Sequence, residues 1–230
     1  MMKFSRFPLL LSLLVAGGFQ GVCAPSGSEG GSISASLSSG DLVYLQGSTL
    51  HHFDQSQLAH VRYFAIYYSA SWCPPCRQFT PTLVNFYDEV KKDNPQFELI
   101  LVCRDQTPVD MEKYMAKDEM HWPALAFAKG RTHKVLNQYA GSGIPDLVVV
   151  DAQGKVLLDS YKDKTYIGPK SVLHDLKKLL ADNPPTAEEI AAAKNAATRP
   201  ATSSNASTTG ATGSTDFDKF FKKPVQTPKP

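Results

Sequence analysis

Ser71-Trp72-Cys73-Pro74-Pro75-Cys76-Arg77 places two cysteines three positions apart, at the seam between a β-type stretch and a helical one. Upstream, Val61 to Tyr68 reads as a short apolar strand rich in β-branched and aromatic side chains; downstream, Arg77 to Lys92 carries apolar residues at helical spacing. A strand-to-helix junction sets the pair at a helix N-terminus. There the unsatisfied backbone N–H groups and the positive end of the helix dipole favour a thiolate and lower the pKa of the first cysteine. The thiolate is the reactive form, so the pair reads as a redox centre.

Two other readings of Cys-x-x-Cys are weaker. A zinc site wants four ligands, and the remaining cysteines (Cys23, Cys103) and the six histidines (His51, His52, His60, His121, His133, His174) supply no second pair at ligand spacing. No metal is expected. A purely structural disulfide across two intervening residues constrains the unfolded chain little, so stability is a poor reason to build one.

The chain has 230 residues with 42% hydrophobic content, enough for one sizeable domain plus tails. Met1 to Ala24 has a basic start (Lys3, Arg6), an apolar run from Phe7 to Ala16 and then small residues, which is the plan of a secretory signal and too short to span a bilayer comfortably. Val22-Cys23-Ala24 resembles a cleavage site, with Pro25 hindering a cut after Ala24; Cys23 also admits a lipoprotein reading, although Gln20-Gly21-Val22 is a poor lipobox. Membrane attachment is expected only if Cys23 is lipidated. Removing residues 1–24 takes away two positive charges, so the formal charge falls from +2 to about zero and no nucleic-acid partner is implied. Export to a periplasmic or other extracytoplasmic space would allow the pair to rest as a disulfide.

Residues 25–40 are Ser/Gly-rich and read as a flexible spacer. Asp182-Asn183-Pro184-Pro185 marks the far boundary of a domain over 41–182. Residues 183–230 follow as an Ala-rich helix opened by a Thr186/Glu189 capping box, then a low-complexity, disordered tail. That tail carries the Asn205-Ala206-Ser207 sequon and the basic-aromatic run Phe217 to Lys223.

Between these limits strands and helices alternate. Phe97 to Cys103 reads as a strand and Val109 to Lys117 as a helix opened by Thr107-Pro108; together with the cysteine helix they form a β-α-β unit, hence a parallel pair. Lys134 to Ala140 reads as a short helix. Leu147 to Val150 and Lys155 to Asp159 flank the turn Asp151-Ala152-Gln153-Gly154 as an antiparallel hairpin, and Ser171 to Leu180 closes as an amphipathic helix. The sum is an α/β domain with a central mixed β-sheet flanked by helices on both faces.

Tyr67 to Pro81 resembles the active-site segment of the nucleoredoxin and tryparedoxin branch of the thioredoxin superfamily. His121-Trp122-Pro123-Ala124-Leu125-Ala126-Phe127 resembles that branch's Trp-containing segment, and Gly143-Ile144-Pro145 its cis-proline loop. The resemblance covers roughly residues 41–182 and implies a thioredoxin-like fold. Exported bacterial reductases serving cytochrome c maturation share the W-C-P-P-C core, so the motif alone does not fix the branch; Phe79-Thr80-Pro81 and Trp122 favour the nucleoredoxin-like one.

On this reading Cys73, the more exposed sulfur, attacks a substrate disulfide, and Cys76 resolves the mixed disulfide. Pro74 and Pro75 remove two backbone donors and stiffen the loop, and Pro81 should kink the helix that holds it. The resemblance implies a cis Ile144-Pro145 bond facing the cysteines, with Ile144 pairing an extended substrate segment. Trp72 and Trp122 are expected to wall the site, the plainer alternative being core. Two positions depart from relatives. Tyr67 stands where thioredoxins carry a buried Asp, leaving open which group takes the proton of Cys76. Asp146 follows Pro145, where its charge would raise the Cys73 pKa, partly countered by Arg77. Cys103 ends a strand on the active-site side, and the expectation is a buried, inert thiol.

The leading expectation is an exported thiol-disulfide oxidoreductase, without metal or organic cofactor. Its partners would be protein disulfides and a thiol protein that gives or takes electrons. The alternatives are a reductase dedicated to cytochrome c maturation and a non-catalytic thioredoxin-like binding module.

Overall fold

A computed structural model describes residues 32–198. The signal segment with Cys23, the first part of the spacer, and the tail from residue 199 with its sequon and basic-aromatic run lie outside the described residues.

The chain opens with α1 (Ile33–Ser36), then β1 (Leu42–Gln46), β2 (Thr49–His52) and β3 (Tyr63–Ser69). The cysteine helix α2 (Pro74–Val90) is followed by β4 (Phe97–Cys103), α3 (Pro108–Lys117), β5 (Ala124–Leu125) and α4 (Lys134–Asn137). Strands β6 (Asp146–Asp151), β7 (Val156–Asp159), β8 (Tyr161–Lys162) and β9 (Thr165–Tyr166) lead to α5 (Pro169–Asp182) and α6 (Ala187–Thr198). Seven strands make one sheet in the order β2-β1-β5-β4-β3-β6-β7, and β8 and β9 form a separate ribbon. β3, β4 and β5 run parallel, whereas β6 pairs antiparallel with β3 and β1 antiparallel with β5, so the sheet is mixed.

The central strands are buried on both faces, which explains why they read as unbroken apolar runs. Tyr63, Ala65, Tyr67, Leu99 and Leu101 point into a core closed by Phe79, Leu83 and Phe86 of α2, Met111 and Met115 of α3, and Leu176 and Leu180 of α5. Their alternates Phe64, Ile66, Tyr68, Ile100 and Val102 point the other way, onto Ile33, Leu37, Leu58 and Leu136.

The spacer expectation therefore needs correction. Ile33 is fully buried and its N–H donates to the Ala152 carbonyl at 2.9 Å, so the chain from residue 32 onward belongs to the folded domain. Its Ser/Gly composition concealed two apolar anchors, Ile33 and Leu37, at the i, i+4 spacing of one helical face. The boundary at Asn183 is not a separation either. Arg62 pairs with Glu189 at 3.2 Å and donates to the carbonyls of Asn183 and Pro184, tying α6 to the base of β3. The Thr186/Glu189 capping box is present, with Glu189 N–H on Thr186 Oγ1 at 3.2 Å and Thr186 N–H on Glu189 Oε2 at 2.7 Å. The short helix α4 stops at Asn137 rather than Ala140. The hairpin β1–β2 was not anticipated, although its Gly47-Ser48 turn, with Gly47 at φ +64°, is a readable signal.

Candidate active site

Cys73 caps α2: its backbone is extended (φ −88°, ψ 109°), Pro74 takes the first helical position and the Cys76 N–H points at Cys73 Sγ, 3.3 Å away. This sequence folds so because proline fits the helix start, where its missing N–H costs nothing. The two cysteines are joined as a disulfide. Both sulfur-bearing residues are buried, Cys73 at 3% exposure and Cys76 at 0%, so the expected contrast in exposure is slight and access is by the edge of Cys73. Their apolar neighbours are Ala70 and Ile144. The Ile144-Pro145 bond is cis, and the Ile144 carbonyl oxygen lies 3.7 Å from Cys73 Sγ.

The position six residues before Cys73 is occupied by Tyr67, fully buried. Its hydroxyl meets Thr80 Oγ1 at 2.9 Å and accepts from Ser69 Oγ at 3.0 Å; Tyr114 Oη of α3 closes the ring at 2.8 Å from Ser69 and 2.7 Å from Thr80. Thr80 Oγ1 also donates to the Cys76 carbonyl at 2.9 Å. These are five contacts for four hydroxyl hydrogens: with Thr80 donating to Cys76 and Ser69 to Tyr67, Tyr67 can donate to Thr80, and Tyr114 has one proton to share between Ser69 and Thr80. Burial pushes the Tyr67 and Tyr114 hydroxyls above their ordinary range, and the ring stays neutral. At the position where the resemblance to thioredoxins implies a buried Asp, this chain buries a hydroxyl ring. Tyr67 pointed to the difference; Ser69 and Tyr114 carried no local signal.

On the other flank, Asp105 is 1% exposed and accepts from Ser71 N–H and Ser71 Oγ, both at 2.8 Å, while the Cys103 thiol donates to its other oxygen at 3.0 Å. Burial, then the Asp105 carboxylate, push the Cys103 thiol far above its ordinary range. It is 5% exposed and carries no thiolate character. Asp105 thereby ties the end of β4 to the loop that delivers Cys73, a role that sequence reasoning missed.

The two tryptophans separate. Trp72 is 56% exposed beside the disulfide, its Nε1 donating to the Arg104 carbonyl at 3.2 Å. Trp122 is fully buried and packs edge-on against Tyr87 at 5.3 Å between ring centroids, so it is core and does not wall the site. Arg77, like Pro74 and Pro75, is exposed. It faces a cleft shared with Asp110, Lys113, Lys117 and Asp118, and its field acts on Asp118. The cation whose field reaches Asp146 is instead Arg104.

Asp146 also differs from expectation. It is fully buried opposite Tyr68 in the β3–β6 ladder, and its Oδ2 accepts the Gly141 N–H at 2.7 Å, which closes the loop 141–146; Oδ1 has no partner. Its carboxylate thus belongs to the loop behind Pro145. Burial raises its pKa to about 6, with Gly141 pulling the other way and Asp159 adding to the rise. The folded state therefore binds this proton more tightly than the unfolded chain, and stability falls as pH rises from about 4 through about 6. Asp146→Asn is expected to stabilise the protein at pH 7 by about 1–2 kcal/mol, a gain that vanishes near pH 4. Urea midpoints between these pH values check it; equal midpoints at pH 7 contradict it.

The same loop is held from outside by the β8–β9 ribbon. Tyr166 Oη donates to the Pro145 carbonyl at 2.7 Å, and a Cβ on Gly141 would sit 2.1 Å from the Tyr161 ring, so any side chain there must displace that ring. The ribbon turns at Asp163 and Lys164, both left-handed (φ 49° and 67°); with no glycine at this turn, its residues carry no clear hairpin signal. Among the described residues no cluster of three or more His, Cys, Asp or Glu side chains could hold a metal ion.

Residues 61–156 match the sequence model of a family described as Thioredoxin-like. Nucleoredoxin of Xenopus laevis is 34% identical over 117 residues, which is 49% of this chain and 28% of that protein. Tryparedoxin of Trypanosoma brucei brucei is 41% identical over 90 residues, 38% of this chain and 59% of that protein. The crystal structure of a thioredoxin from Wuchereria bancrofti is 32% identical, covering 62% of this chain and 96% of that one, with a TM-score of 0.46. Residues 61–156 form a thioredoxin-like domain. For that domain, the nucleoredoxin and tryparedoxin matches support the nucleoredoxin/tryparedoxin-like branch. It spans only 21% to 28% of the length of the first three nucleoredoxins it matches.

Proposed function

We propose that the protein is a thiol-disulfide oxidoreductase that acts on protein disulfides outside the cytosol through the Cys73/Cys76 couple. The observation that carries the activity is the Cys76 N–H aimed at Cys73 Sγ at the start of α2, with the Ile144-Pro145 loop against the same sulfur. An N–H donor and a helix N-terminus stabilise negative charge on Cys73 and so favour its thiolate.

In the reducing direction the Cys73 thiolate attacks one sulfur of the substrate disulfide, which breaks and expels the other sulfur as a thiolate. Cys76, after giving up its proton, attacks the Cys73 sulfur. The mixed disulfide breaks, the second substrate thiolate leaves, and the Cys73–Cys76 disulfide forms. Two electrons pass to the substrate and its thiolates take up protons from solvent. An external dithiol must then reduce the couple.

Location outside the cytosol is supported by the charge and hydropathy plan of Met1 to Ala24. A full-length protein that keeps Met1 and stays in the cytosol of an exporting host contradicts it. For the activity, insulin reduction with dithiothreitol separates enzyme from binding module: Cys73→Ser should fall to the uncatalysed rate, and a variant as fast as wild type ends the reading.

A further inference from the structure

A cavity of about 300 Å3 opens beside the disulfide, lined among others by Tyr68, Trp72, Arg104, Gly141, Gly143 and Ile144. Ile144 is common to this cavity and to the disulfide's own surroundings. A substrate whose sulfur meets Cys73 must therefore lay its neighbouring residues across Ile144 and into this space. Arg104 is the only formally charged residue in the lining.

That charge is held in place. One terminal nitrogen donates to the Gly130 carbonyl at 2.9 Å, the other to Asn137 Oδ1 at 2.8 Å, and the guanidinium lies over the Tyr68 ring, 5.2 Å from its centroid. Two of its five N–H donors meet these acceptors, which leaves about three without a hydrogen bond to the described residues. No ion pair neutralises Arg104 among the described residues. The charges that act on it are Arg131, which adds to the positive field, and Asp146, whose carboxylate is engaged by Gly141 behind the loop. Asp105 has both oxygens occupied by Ser71 and Cys103. A guanidinium fixed before binding loses little freedom when it meets a carboxylate, and its planar fork suits one.

We propose that Arg104 is a specificity-determining residue, selecting substrates that carry a carboxylate side chain next to the cysteine they present to Cys73. The proposal rests on the thiol-disulfide reading above. It names the chemistry of the preferred substrate: an acidic residue flanking the disulfide, with its stem against Trp72 and Ile144.

The test uses the full chain and three disulfide peptides, identical except for Glu, Gln or Lys beside the reactive cystine. kcat/KM is measured with dithiothreitol as the reductant. Wild type should favour the Glu peptide over the Gln peptide about fivefold or more and turn over the Lys peptide most slowly, with the spread shrinking in high salt. Arg104→Gln should bring the three within about twofold, while Arg104→Lys, which keeps the charge, should preserve the order. Equal use of the three peptides by wild type, or a Glu preference that survives Arg104→Gln, overturns the proposal while catalysis by Cys73 stands. Failure of wild type to reduce any peptide overturns both.

Discussion

Trp122→Ala is expected to cost about 3–5 kcal/mol of stability, the usual range for deleting a large buried aromatic side chain. The indole is fully buried in the core between sheet and helices, and its partner Tyr87 lies eleven positions beyond Cys76 in α2, about 16 Å along the helix axis. The loss should therefore appear in the urea midpoint and not in turnover by the fraction that remains folded. Trp122→Phe should be far milder. The indole N–H is buried without an acceptor, so phenylalanine loses volume but also removes an unsatisfied donor. A Trp122→Ala protein of near wild-type stability but crippled turnover would return Trp122 to the site.

How far the sequence reached is clearest around the cysteines. The strand, the helix start and the parallel β4 were readable because both central strands are buried on both faces and Pro74 marks a helix start. Phe97–Cys103 has the bounds that its apolar run suggested. What escaped were contacts between segments far apart in the chain. Tyr114 reaches Thr80 across α3 and α2, Asp105 reaches Ser71, and Tyr166 reaches Pro145; none of these has a local periodicity to betray it. Asp146 shows the same limit. Its neighbour Pro145 suggested a carboxylate acting on Cys73, yet strand alternation puts its side chain on the face of Tyr68, where it closes the loop through Gly141. The spacer misled for a related reason: composition describes solvation, whereas one buried Ile33 decides where the domain begins.

Cys76→Ser should stop turnover, a loss of at least about a thousandfold in insulin reduction, because the mixed disulfide can no longer be resolved from within. Cys73 keeps its place at the helix N-terminus in that variant, and the donor at 3.3 Å is the backbone N–H of residue 76, which serine retains. Attack should therefore proceed and the covalent complex accumulate. Cys103 offers no relief, since burial and Asp105 keep its thiol protonated.

The most direct measurement is the linkage in that trapped complex, read by mass spectrometry of a proteolytic digest under non-reducing conditions. The account predicts Cys73 joined to a substrate cysteine. A complex linked through Cys103, or no covalent complex from a variant whose wild-type parent turns over, would contradict it.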